Sequence, residues 1–85
     1  MEVYLGEKGL NKSWQKPFDK TIKCSRCGGK ARIMFVGFEG RKNKNYVCNL
    51  RKNGGRGNYW VHDAIATAIY LCKDCFSAEV IINQA

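Results

Sequence analysis

Two Cys-x-x-Cys pairs, Cys24-Ser25-Arg26-Cys27 and Cys72-Lys73-Asp74-Cys75, constrain this 85-residue chain more than anything else in it. Two intervening residues let one tight turn aim both sulfurs at a single ion about 2.3 Å away, and two such pairs supply the four soft donors of a tetrahedral Zn²⁺ site. Gly28, directly after Cys27, lets the backbone reverse out of the first turn. Phe76 follows Cys75, so the second turn is expected to feed a helix or a strand directly. A chain this short usually supplements a thin core with a metal, a disulfide or a partner. Five cysteines leave one over in any disulfide scheme, and Met1-Glu2-Val3-Tyr4 does not open an apolar signal segment. The expectation is one closed, structural zinc ion in a protein of the reducing cytoplasm. A redox dithiol would call for a single pair beside a βαβ pattern, which this sequence lacks.

The charge is uneven. From Lys8 to Arg56 fourteen Lys and Arg stand against Asp19 and Glu39, which makes that stretch +12, while residues 1–7 and 57–85 each contribute −2 to the total of +8. Four thiolates with one Zn²⁺ carry −2, which leaves about +6 on the loaded protein. A field of this sign favours polyanions such as nucleic acid or an acidic protein surface. No apolar run approaches the roughly 20 residues that span a bilayer. Neither a membrane nor a small-molecule substrate is expected as a partner.

Residues 1–20 read as a basic N-terminal arm, because Lys8, Lys12, Lys16 and Lys20 would repel one another along a helical face. Tyr4, Leu5, Trp14 or Phe18 would pin it to the body, with a short strand before Gly6. Residues 21–85 form the zinc-binding domain. Within it Ala31 to Phe38 reads as a strand, with Ile33 and Phe35 alternating against Met34, Val36 and Phe38. The polar stretch 39–45 would turn it into a hairpin with Tyr46 to Leu50. Residues 51–58 are a glycine-rich loop, so 41–58 make a basic insertion. Tyr59 to Leu71 is expected to be a strand from about Ala66, delivering the second cysteine pair. Phe76 and Val80 have helical spacing, whereas Val80-Ile81-Ile82 favours a strand. The fold expected is a small zinc-stabilised α+β domain, an antiparallel hairpin or three-stranded sheet with two zinc knuckles and a short C-terminal helix; an all-β zinc ribbon is the alternative.

Cys24-Ser25-Arg26-Cys27-Gly28-Gly29, then a hairpin, then Tyr70-Leu71-Cys72-Lys73-Asp74-Cys75-Phe76 with an acidic-apolar tail, resembles the treble-clef and zinc-ribbon groups. The nearest local likeness is the treble-clef zinc domain of Clp-type unfoldases, in which the second cysteine pair opens a helix. The resemblance covers residues 24–85 and implies a metal and a hairpin. It leaves function open, since these folds host DNA-binding, RNA-binding and protein-docking modules alike. The 44 residues between Cys27 and Cys72 depart from both groups.

Enzyme chemistry is not expected. A zinc deaminase needs His-x-Glu before its cysteine pair, and His62-Asp63-Ala64 lacks the glutamate. His-Glu-x-x-His is impossible with one histidine. Cys48 lies in an apolar run and reads as core; His62 beside Asp63 could be a ligand oriented by its neighbour, but adjacent strand residues face opposite ways and a catalytic role is not expected. The candidate nucleic-acid contacts are Arg26, Lys30 and Arg32 around the first zinc turn, Arg41, Lys42 and Lys44 at the hairpin tip, and Arg51, Lys52 and Arg56 in the glycine loop. Tyr59 and Trp60 could stack on unpaired bases. The expectation is a zinc module that binds nucleic acid through its phosphate backbone. The alternative is an adaptor docking on an acidic protein surface through Trp14, Phe18, Phe38 or Trp60.

Overall fold

A computed structural model describes residues 1–40 and 64–85. The hairpin tip, the glycine-rich loop, Tyr46 to Leu50, Cys48, Tyr59, Trp60 and His62 lie outside the described residues.

Among the described residues five strands form one antiparallel sheet: β1 (Glu2–Leu5), β2 (Thr21–Lys23), β3 (Lys30–Phe38), β4 (Ile65–Cys72) and β5 (Ala78–Gln84). A 3₁₀ turn over Gly6–Gly9 follows β1. The order is β1-β3-β4-β5, with β2 sharing the β1 edge of β3. β2 covers Lys30 to Arg32 and β1 covers Phe35 to Phe38, so one long strand serves two short ones. The changeover falls at a bulge. Ile33 stands opposite Tyr70 and Phe35 opposite Ile69, which leaves Met34 as the extra residue and reverses the in-out parity. Ala31, Ile33 and Val36 therefore share the buried face, and the simple alternation expected through Phe38 does not hold.

β4 alternates strictly, with Ala66, Ala68, Tyr70 and Cys72 inward. Its two alanines leave room for side chains from the N-terminal segment. Phe18 is buried there, and Leu10, Trp14 and Ile22 pack against the same cluster. Burial of Phe18 contributes about 1.5–3 kcal/mol, and the partly covered Leu10, Trp14 and Ile22 add less each. Tyr70 donates its hydroxyl to the Asp19 carbonyl at 2.6 Å, and Trp14 stacks on Phe38 with ring centroids 5.2 Å apart. Gly9 is buried directly over Val36, where a Cβ would come within 2.6 Å of the valine Cβ.

The opposite face is covered differently. Leu5, Phe35, Ile69 and Val80 form one cross-strand row, and Leu5 and Val80 remain 69% and 52% exposed. At the far end of the sheet Glu39 closes the gap between β3 and β4. Its N–H donates to the Ile65 carbonyl at 2.9 Å, and its fully buried carboxylate accepts the Ile65 N–H at 3.0 Å.

The C-terminal helix expected after the second cysteine pair does not form. Ala78–Gln84 is strand β5, paired with β4 from Ile65↔Gln84 to Leu71↔Ala78. The β-branched Val80-Ile81-Ile82 run prevails over the helical spacing of Phe76 and Val80, because β4 offers an open edge. The all-β alternative therefore describes the fold better than the α+β one. Among the described residues no helix is long and apolar enough to cross a membrane.

Candidate metal centre

Each cysteine pair sits at the tip of a hairpin, the first between β2 and β3, the second between β4 and β5. The tips are built alike. Gly28 N–H donates to the Cys24 carbonyl and Phe76 N–H to the Cys72 carbonyl, both at 2.9 Å. Cys24 N–H donates to the Gly29 carbonyl at 2.8 Å, and Cys72 N–H to the Ser77 carbonyl at 2.9 Å. Both turns need a left-handed residue after the second cysteine. Gly28 supplies it at φ 78° and Phe76 at φ 58°. Glycine adopts that conformation freely, whereas for phenylalanine it costs about 1 kcal/mol or more. The expectation that Phe76 would lead straight into regular structure is thus corrected: the second tip repeats the geometry of the first with an unfavourable residue.

Pairing of β3 with β4 sets the tips side by side, with Ala31 opposite Cys72. The four Sγ atoms of Cys24, Cys27, Cys72 and Cys75 all lie within 4.8 Å of one another. Cys24 and Cys75 are 3.7 Å apart and Cys27 and Cys72 are 3.5 Å apart. Metal–sulfur bonds of about 2.3 Å in tetrahedral geometry put neighbouring sulfurs about 3.8 Å apart, so the donor set fits one ion. Cys24 and Cys72 are buried, Cys75 is half-buried and Cys27 is exposed.

Surrounding groups already bias the sulfurs. Gly29 N–H donates to Cys27 Sγ at 3.4 Å and Ser77 Oγ lies 3.2 Å from Cys75 Sγ. In the metal-free protein the Gly29 bond pulls the Cys27 thiol down, but the neighbouring thiols and desolvation outweigh it and push Cys27 up to about 12. The Ser77 hydroxyl and N–H lower Cys75 to about 6. Two ties join the tips. The Glu79 carboxylate accepts the Ser25 N–H at 2.6 Å and the Ser25 hydroxyl, and Arg26 reaches Ser77 Oγ at 3.5 Å.

The cations gather around the same end. Lys23 stands directly opposite Lys30 across β2 and β3, and Lys73 N–H donates to the Lys30 carbonyl at 3.3 Å. Lys23, Lys30, Lys73 and Arg26 have no ion pair among the described residues. Arg32 and Lys20 differ, since both pair with Glu7. Of the basic residues singled out from the sequence, Arg26 and Lys30 lie on or beside the cysteine turns and Arg32 is turned to Glu7, while Arg41, Lys42, Lys44, Arg51, Lys52 and Arg56 fall outside the described residues. Lys23, Lys73 and the Ser25–Glu79 tie escaped sequence reading, because only the strand register brings them together. The Phe76 position was legible in principle, from glycine following one pair and phenylalanine the other. Compared with known proteins, the chain matches no protein-family model, no curated protein and no solved structure.

Proposed function

We propose that this chain is a zinc-held β-domain that binds nucleic acid through its phosphate backbone, the ion serving structure only. Zinc suits four thiolates because it accepts soft donors in a tetrahedron without geometric preference of its own. Four protein donors fill that tetrahedron, so no position is left for a reacting water. The observation that carries the nucleic-acid reading is the facing pair Lys23 and Lys30, with Lys73 attached beside them. Like charges directly opposite in a sheet are destabilising, and a phosphate bridging them would relieve the repulsion. The tetrathiolate charge offsets part of this field, and the +12 stretch from Lys8 to Arg56 supplies the surplus.

The test is a titration of zinc-loaded protein with a fluorescent oligonucleotide at low and moderate salt. Affinity is expected to fall with salt along a log–log slope of about −0.9 per phosphate neutralised on a duplex. Substituting Lys23 and Lys30 by Ser is expected to flatten that slope, and so is neutralising Arg51, Lys52 and Arg56. No binding at low salt would sink the proposal. It would favour docking on a protein, the reading supported by the exposed Leu5 and Val80 in the apolar row.

A further inference from the structure

The two hairpin tips have the same hydrogen bonds and the same left-handed residue, yet one holds Gly28 and the other Phe76. Burial does not compensate the strain at Phe76, whose side chain is 74% exposed, the most exposed large apolar side chain among the described residues. Backbone strain tends to cluster at functional sites, and an aromatic ring gains most where its face is covered. The ring stands on the same turn as Lys73, whose backbone is bonded to Lys30, itself opposite Lys23. Two acids stand nearby. Glu79 is held by Ser25, and the Asp74 carboxylate packs against Gly29 on the same turn without an ion pair to any lysine among the described residues, so it offsets one of the three ammonium charges and leaves the surplus positive. A flat apolar surface beside unpaired ammonium groups matches an unpaired nucleotide, whose base presents a π-face and whose phosphate carries the charge.

We infer that Phe76 is a stacking platform for a base of single-stranded nucleic acid, with Lys73, Lys30 and Lys23 receiving the adjoining phosphates. This deepens the proposed function and rests on it. It predicts preference for single strands over duplex, because a paired base cannot lay its face on an exposed ring. It also predicts that the residue best for the turn is worse for binding.

Zinc-loaded wild type, Phe76→Gly and Phe76→Trp would each be titrated with a single-stranded oligonucleotide and a duplex of the same sequence, and melted in parallel. Removing the ring under one stacked base costs about 1–3 kcal/mol, so Phe76→Gly is expected to lose about five-fold to 150-fold in single-strand affinity. Its duplex affinity should be unchanged and its thermal midpoint no lower than that of wild type. Phe76→Trp should keep single-strand binding. The Phe76 ring protons of the wild type should move upfield on adding the single strand. If wild type binds neither oligonucleotide, the nucleic-acid reading itself fails. If wild type binds and Phe76→Gly binds the single strand equally well, stacking alone is overturned and the exposed ring is left to a protein contact. Equal losses on both oligonucleotides would likewise overturn it.

Discussion

The Glu79 carboxylate holds both the backbone N–H and the hydroxyl of Ser25, so the strand that leaves the second cysteine pair braces the turn of the first. Partners just outside a metal's ligands commonly change its retention ten-fold to a hundred-fold. Glu79→Ala is expected to release zinc to a chromogenic chelator about ten times faster than wild type. The Ser25 bonds hold the Glu79 carboxyl below its ordinary pKa. Its contribution is therefore complete above the ordinary carboxylate range and is lost as pH falls below it.

Zinc retention should also follow the thiols. Cys75, lowered to about 6, adds stability that is complete above the ordinary thiol value and lost as pH falls through about 6. Cys27, raised to about 12, acts in the opposite sense, its contribution complete below the ordinary thiol value and lost as pH rises towards 12. Zinc requires all four thiolates, so protons compete with it on the acid side. Melting the zinc-loaded protein should show the midpoint dropping between about pH 7 and pH 5, more steeply than in a chelated sample, where the Cys75 contribution is lost but no metal is displaced.

Gly9 has no space for a side chain. A methyl group there would overlap Val36, which is itself fully buried. Gly9→Ala is expected to cost about 1–3 kcal/mol in denaturant unfolding, with zinc stoichiometry unchanged.

Tyr70→Phe tests how the N-terminal segment is held. The lost hydroxyl leaves the Asp19 carbonyl without its 2.6 Å donor, at a cost of about 1 kcal/mol. Limited proteolysis should then cut earlier between Leu10 and Lys20, while the strands resist as before.

These contrasts mark how far the chain could be read in advance. The cysteine spacing identified the four thiols that converge, since two intervening residues leave a turn few choices. The Lys30–Phe38 strand and the approach of β4 to Cys72 were legible from local composition. The parity reversal at Met34 was not, because a bulge depends on which strands lie alongside. For the same reason Ala78–Gln84 could be read two ways until β4 supplied an edge. Pairing of β1 with the far half of β3 joins residues thirty or more positions apart, a contact that no local pattern encodes.

The bond pair between Glu39 and Ile65 works as a collar. It satisfies the backbone at the mouth of the sheet with groups that belong to the sheet, so the frame is complete on the near side of residue 40. The four thiols close the other end of the same two strands, where Ala31 stands opposite Cys72. The β3–β4 pair is thus clamped at both ends, and opening either end leaves the register held by the other.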